Sequence, residues 1–111
     1  MSNILFICSA HKDRSRTAED HFSGVNPVHK YDSAGTNEKI CFQLGTQYIE
    51  MEQLEWAHCI YLMESKHKKA VETTFGSAYN SKMKVLNIQD HYGYGDKELI
   101  RLLSEKLGEL I

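Results

Sequence analysis

The chain of 111 residues has one proline, three cysteines and no apolar run longer than five residues. Its longest runs, residues 4–8 and 59–63, are too short for a membrane span or the core of a signal peptide. Cys8, Cys41 and Cys59 are odd in number and lack CxxC spacing, which argues against a disulfide framework, a zinc site and a redox pair. We therefore expect a cytoplasmic protein with no membrane association and no metal.

An excess of positive charge is also missing. Thirteen basic and fifteen acidic side chains give a formal net charge of −2, so the chain has no global field that would attract nucleic acid or a membrane surface. Any anionic ligand must be held locally. The length and a hydrophobic content of 41% predict one globular domain, residues 1–111.

Short β-rich segments alternate with helical ones along the chain. We predict strands at residues 3–8, 28–32, 58–63 and 83–88, and helices at residues 15–23, 48–56, 66–75 and 96–110. This alternation predicts an α/β fold in which a parallel sheet of four strands carries helices on both faces. Ligands of such sheets bind at the carboxyl edge of the strands, so this edge is where a functional site is expected.

The segment after the first strand has the character of an anion site. Cys8 ends the strand and Arg14 and Ser15 begin a helix, so loop N–H groups and the helix dipole would surround a dianion and favour a thiolate at Cys8. Arg14 would bind two phosphoryl oxygens bidentately, and Ser15 would donate a hydrogen bond to the sulfur. The residues between them form the phosphate loop, residues 9–13, and are all candidates for substrate binding: Ser9, Ala10, His11, Lys12 and Asp13.

These residues resemble the low-molecular-weight protein tyrosine phosphatases, whose signature is Cys, five residues, Arg and then Ser or Thr. Cys8, Arg14 and Ser15 match it, residues 32–36 (DSAGT) match the segment after that family's second strand, and the chain is most similar to a short branch of predicted tyrosine phosphatases. The resemblance implies a three-layer sandwich with strand order 2-1-3-4. It also implies a phosphomonoesterase that forms a phosphocysteine, needs no cofactor, and acts on a phosphotyrosine protein or a small aryl phosphate.

A general acid is expected near the C-terminus, again by resemblance. Asp90 follows the fourth strand and matches the family's aspartate, whereas its rival Asp96 precedes the last helix and suits an N-cap. Tyr92 and Tyr94 follow on a glycine-containing loop. The resemblance assigns them to a wall that stacks on a substrate ring, and the alternative is that they are half-buried turn residues.

Two loop residues depart from the family pattern. His11 stands where an asparagine brace is common, and Asp13 stands where a second cysteine often occurs. An inward carboxylate would repel phosphate, so we expect Asp13 to point outward, as a helix N-cap or a partner of Lys12 or Arg16. Ser33 is expected to brace the phosphate loop.

The remaining cysteines and histidines receive structural interpretations. Cys41 and Cys59 are expected to be packing residues, with Cys59 buried in a strand. Four histidines are not spaced as metal ligands and are assigned no function: His21, His29, His58 and His67.

Three other functions remain open at the level of sequence. Arsenate reductases share this fold and loop but need a relay of further thiols, which Cys41 and Cys59 would have to supply. A phosphocysteine carrier of a sugar phosphotransferase system has a similar first loop but would not need Arg14 or Asp90. The third alternative is a phosphate- or phosphoprotein-binding module without turnover. The oligomeric state is not indicated.

Overall fold

Four parallel strands form one sheet in the computed structural model, which describes residues 2–108. The strands are β1 (Asn3–Cys8), β2 (Lys30–Gly35), β3 (Cys59–Leu62) and β4 (Met83–Val85), in the order β2-β1-β3-β4. Five of the six β1 residues are buried, because this strand lies inside the sheet and is covered on both faces. The predicted α/β class and strand order are confirmed.

Five helices cover the sheet: α1 (Arg14–Val25), α2 (Glu38–Leu44), α3 (Met51–Trp56), α4 (Ser65–Phe75) and α5 (Lys97–Lys106). Alternate residues of β1 point into two separate cores. On one face Ile4 and Phe6 pack in a cluster with residues of α1 and α5, and on the other Leu5 and Ile7 pack with residues of α3 and α4. The three-layer arrangement thus follows from the doubly apolar β1. No helix within residues 2–108 is long and apolar enough to cross a bilayer.

The last helix is organised by its cap and its apolar stripe. The Asp96 carboxylate accepts hydrogen bonds from the backbone N–H groups of Glu98 and Leu99, at 2.7 and 3.4 Å. Leu99, Leu103 and Leu107 recur every four residues and are fully buried. The α-helix ends at Lys106, with Leu107 as its C-cap, so it is shorter than the predicted helix over residues 96–110, of which positions 109–110 lie outside the described residues.

Several boundaries differ from the predictions. β2 continues to Gly35 because it pairs with β1 along its whole length, whereas β4 ends at Val85, which is opposite the last residue of the short β3. α3 starts at Met51, since Tyr48 forms a β-bridge with Gly35 instead. Cys59 is partly exposed rather than buried.

Helix α2 was not predicted. Asn37 caps its start by accepting from the Ile40 N–H at 3.1 Å, and Gly45 ends it with a left-handed φ of 69°. Of its seven residues only Cys41 is buried, whereas Ile40, Phe42 and Leu44 are exposed. The helix therefore packs few side chains against the core.

Candidate active site

The three residues assigned to catalysis from the sequence lie around one small cavity at the carboxyl edge of the sheet. The cavity measures about 30 Å³ and is lined by seven residues: Cys8, Ser9, Ala10, Lys12, Asp13, Arg14 and Asp90. Two larger cavities, of about 490 and 430 Å³, flank the phosphate loop on either side. The small cavity therefore brings together the three residues that the sequence analysis assigned to catalysis.

Cys8 is held at the junction of β1 and α1. Its side chain is only 3% exposed, and its sulfur lies 3.0 Å from the Ser15 hydroxyl. If the sulfur is an anion, the Ser15 hydroxyl is necessarily the donor in this contact. Ser15 is fully buried and does not line the cavity, so its predicted contact is with the sulfur and not with substrate.

Arg14 is an almost completely buried cation, with 2% of its surface exposed. Its Nη1 donates to the Glu64 carboxylate at 2.6 Å and to the Ile88 carbonyl at 2.8 Å, and its Nε lies 3.7 Å from Asp90 Oδ1. These contacts fix the plane of the guanidinium at the cavity wall. A bidentate ligand site needs such a preoriented fork.

Glu64 was not identified from the sequence as a site residue. It follows β3, and the ladder continues past that strand, since the Met63 N–H bonds to the Ile7 carbonyl at 3.0 Å and the Ile88 N–H to the Met63 carbonyl at 2.8 Å. Partial burial acts to raise the pKa of Glu64, but the hydrogen bond and charge of Arg14 outweigh it and hold the pKa below its ordinary value. Its position at the end of a strand next to β1 was the available signal.

The two candidate acids have different surroundings. Asp90 lines the cavity beside Arg14, and its side chain is 64% exposed. Asp96 is instead the N-cap of α5 and uses its carboxylate to bind that helix. Geometry therefore brings Asp90, and not Asp96, to Cys8.

Neither tyrosine forms the expected wall of the Cys8 cavity. Tyr92 packs against the core cluster between the sheet, α1 and α5. The Tyr94 hydroxyl donates to the Asp20 carboxylate, and the Arg16 guanidinium lies 5.8 Å from the ring centre. These attachments to α1 hold Tyr94 outside the small cavity, and a contact of either ring with a substrate stays a prediction.

His11 braces the phosphate loop in a left-handed conformation, with φ of 52°. Its Nδ1 accepts from the Gln47 N–H at 3.0 Å, and its Nε2 lies 2.6 Å from the Ser33 hydroxyl, which in turn donates to Glu19. His11 lines the larger neighbouring cavity and not the small one, and a direct contact with substrate stays a prediction for this residue. Ser33 acts on the loop as expected, through this imidazole.

His67 also contacts the phosphate loop, although the sequence assigned it no function. Its Nδ1 accepts from the Glu64 N–H at 3.0 Å, and its Nε2 lies 2.8 Å from the Ser9 hydroxyl. Burial, aided by the charge of Arg14, lowers the pKa of His67 to about 4. The ring is therefore neutral at pH 7.

Asp13 does not have the capping role predicted for it. It occupies the N-cap position of α1, but its side chain makes no capping hydrogen bond. Within residues 2–108 it forms no ion pair with Lys12 or Arg16, and it lines the Cys8 cavity. An acidic residue thus lies among those that line the small cavity.

Gly35 allows β2 to pass directly against the phosphate loop. A Cβ at this position would lie 2.5 Å from the Ser9 carbonyl oxygen, 2.7 Å from Cys41 Sγ and 2.8 Å from the backbone nitrogen of His11. We expect Gly35→Ala to lower the free energy of unfolding by about 1–3 kcal/mol, measured by denaturant titration.

The matched control is Gly24→Ala in α1. Nothing lies within 4 Å of a Cβ at Gly24, so this change should stabilise the protein by about 0.5–1 kcal/mol. Equal stability of the two alanine variants would show that the loop does not need the close approach at Gly35.

Comparison with known proteins gives matches only among solved structures. No family model matches the sequence, and no curated protein matches it. A low molecular weight protein tyrosine phosphatase from T. tengcongensis is 18% identical with a TM-score of 0.72, over 99% of this chain and 95% of that chain. The YwlE arginine phosphatase from Geobacillus stearothermophilus is 19% identical with a TM-score of 0.71, over 99% of this chain and 88% of that chain.

A third structure, Vibrio vulnificus Wzb in complex with benzylphosphonate, is 19% identical with a TM-score of 0.74, over 94% of this chain and 92% of that chain. Identities this low establish architecture, and the coverage extends it over nearly the whole chain. Together with the strand order, these likenesses show that the chain has the fold of the low-molecular-weight protein tyrosine phosphatases.

Proposed function

We propose that the protein is a cysteine-dependent phosphomonoesterase, most active on phosphotyrosine or other aryl phosphates. The observation that carries the proposal is the convergence of Cys8, Arg14 and Asp90 on a single cavity at the carboxyl edge of the sheet. A thiol at a helix N-terminus, a fixed guanidinium and an exposed carboxylate are the nucleophile, the anion clamp and the proton donor that phosphoryl transfer requires.

The reaction proceeds in two balanced steps. The Cys8 thiolate attacks phosphorus in line, the P–O bond to the leaving group breaks, and protonated Asp90 gives its proton to the leaving oxygen. Arg14 and the loop N–H groups hold the equatorial oxygens throughout. In the second step Asp90, now ionised, takes a proton from water as the water oxygen attacks phosphorus, which releases phosphate and the Cys8 thiolate.

An arsenate reductase is less well supported, because its further thiols are badly placed here. Cys59 pairs in register with Ile4 at the amino edge of the sheet, four residues along β1 from Cys8. At about 3.3 Å per residue, this separates the two cysteines by roughly 13 Å along the strand direction. Cys41 is fully buried, with its sulfur 3.8 Å from the Ser9 carbonyl oxygen. Arsenate reduction that depends on Cys41 or Cys59 would overturn this choice.

The test of the proposed function is hydrolysis of phosphotyrosine and phosphoarginine peptides by the purified protein. We expect phosphate release from phosphotyrosine and a phosphocysteine signal in the ³¹P spectrum of acid-quenched enzyme. Lys12 lines the cavity, so its charge should disfavour a guanidinium leaving group and give the lower kcat/KM with phosphoarginine. Absence of turnover with both peptides would contradict the proposal and favour a binding module.

The role of Asp90 is tested by comparing leaving groups. Asp90→Asn should lower kcat on the order of 10²-fold with phenyl phosphate, whose leaving oxygen needs a proton. The loss should be much smaller with p-nitrophenyl phosphate, because its phenolate leaves unprotonated.

Asp96→Asn is the matched control for this acid test. Asparagine also serves as an N-cap, so activity should stay within about twofold of the wild-type protein. A larger loss in Asp96→Asn than in Asp90→Asn would reverse the assignment.

A further inference from the structure

Two histidines make the same pattern of hydrogen bonds at the phosphate loop. His11 belongs to the loop, and His67 packs against it. His11 Nδ1 accepts a backbone N–H from Gln47, and His67 Nδ1 accepts one from Glu64, both at 3.0 Å. A ring nitrogen that accepts an N–H carries no proton, so each neutral ring must carry its proton on Nε2. In both rings Nε2 faces a serine hydroxyl, that of Ser33 for His11 and that of Ser9 for His67.

The hydrogen bonds at His11 all run in one direction. The Gln47 N–H donates to Nδ1, Nε2–H donates to the Ser33 hydroxyl, and that hydroxyl donates to the Glu19 carboxylate. An imidazolium has donors on both nitrogens, so protonation of Nδ1 would bring two donors face to face at Gln47. The bond that holds the ring against the 46–47 segment would then be lost.

The backbone at His11 depends on this arrangement. A left-handed φ of 52° is uncommon for residues other than glycine, although histidine, like asparagine and aspartate, adopts it more often than most. The neighbouring Ala10 carbonyl is bound by the Thr46 hydroxyl at 2.6 Å, so the loop is attached to the same segment that binds the His11 ring. Losing the ring contact would therefore release the backbone N–H groups of the phosphate loop from their inward orientation.

We propose that His11 and His67 are positioning residues that shape the phosphate loop only as neutral Nε2–H tautomers, so that protonation of either ring abolishes oxyanion binding. The inference rests on the proposed function in so far as the loop is taken to bind the phosphoryl group. It assigns to each histidine a role in orienting the loop, and to neither a contact with substrate.

The charges around each ring support neutrality at pH 7. His11 faces Arg16, Glu19 and Asp20 of α1 and Asp32 of β2, and burial followed by the charge of Arg16 lowers its pKa. Burial lowers the pKa of His67 to about 4. Four charged groups surround its ring: Arg14, Glu64, Lys66 and Asp90. The neutral form is thus favoured for both rings at pH 7.

The direct test is long-range ¹H–¹⁵N NMR of the wild-type protein labelled on histidine. At pH 7 we expect both rings to give the Nε2–H pattern. An Nδ1–H tautomer or an imidazolium at either position would overturn the inference. This measurement needs no substrate and no turnover.

The functional test uses inorganic sulfate, which stays dianionic over the range studied, on a Cys8→Ser background that removes the thiolate. Once His11 or His67 is protonated, sulfate affinity should fall about tenfold per pH unit, because only the neutral fraction binds. His11→Asn tolerates the left-handed backbone and cannot titrate, and His67→Gln keeps the capping contact to Glu64. The variant carrying both changes should lose this acid-dependent decrease.

The possible outcomes separate this inference from the proposed function. If the double histidine variant loses sulfate affinity in acid as the protein with both histidines does, the positioning role of His11 and His67 is wrong. The proposed phosphatase function would be unaffected by that result. If both rings give the Nε2–H pattern and sulfate affinity changes with pH as expected, but no substrate is hydrolysed, the positioning role is supported. The same result would contradict the proposed function.

Discussion

Replacing Cys8 by serine is expected to lower kcat with an aryl phosphate on the order of 10⁴-fold or more. The hydroxyl that replaces the thiol is a far weaker nucleophile at neutral pH. The Ser15 hydroxyl, 3.0 Å from the sulfur, is a hydrogen-bond donor to an anion and not a base that would activate the new hydroxyl. Removing the nucleophile from an enzyme that forms a covalent intermediate has effects of this size. The measurement is initial-rate kinetics together with ³¹P detection of the phosphoenzyme.

Cys59→Ser provides the matched control for this change. It makes the same chemical replacement in β3, at the amino edge of the sheet, and should leave kcat within about twofold of the wild-type protein. Sulfate binding by Cys8→Ser should persist, which would show that the loop is intact. Substantial turnover by Cys8→Ser would contradict the phosphocysteine mechanism.

Arg14→Lys is expected to lower kcat/KM on the order of 10³-fold while keeping the positive charge. The guanidinium is fixed by Glu64 and the Ile88 carbonyl, so it presents a preoriented planar fork to the phosphoryl oxygens. A lysine ammonium is a point charge that cannot bind two equatorial oxygens in one plane. Loss of one preoriented donor in a transition-state site costs 10²–10³ in other enzymes, and here the bidentate geometry is lost with it.

Arg101→Lys on the exposed face of α5 is the control for this substitution. Arg101 pairs with Glu98 and Glu105 and lies outside the site, so its replacement should not change kcat/KM. Circular dichroism and the denaturation midpoint would report whether Arg14→Lys remains folded. A loss of less than tenfold in a folded Arg14→Lys protein would show that charge alone is sufficient.

The features that were predictable from the sequence are local ones. β1 is a continuous apolar run, α5 has a cap and a regular leucine stripe, and the spacing from Cys8 to Arg14 spans a single loop. Each pattern is read within about a dozen residues. Local patterns of this kind determine the element types, and the alternation of elements determines the parallel sheet.

The parts of the site that were missed depend on distant contacts. Glu64 meets Arg14 across 50 positions of sequence, and His67 meets Ser9 across 58. Tyr94 was misplaced because its partner Asp20 lies 74 positions away and draws the ring onto α1. A single sequence carries no local signal for such pairs, since they exist only after the strands have paired.

The wide separation of the site groups along the chain has a consequence for folding kinetics. Cys8 and Gly35 end β1 and β2, and Glu64 and Asp90 follow β3 and β4, so the site is complete only when every crossover has closed. Parallel pairing of distant segments forms late and slowly. Bound oxyanion should therefore slow unfolding rather than accelerate folding, and at 100 times its Kd it would add about 2.7 kcal/mol to the native state alone.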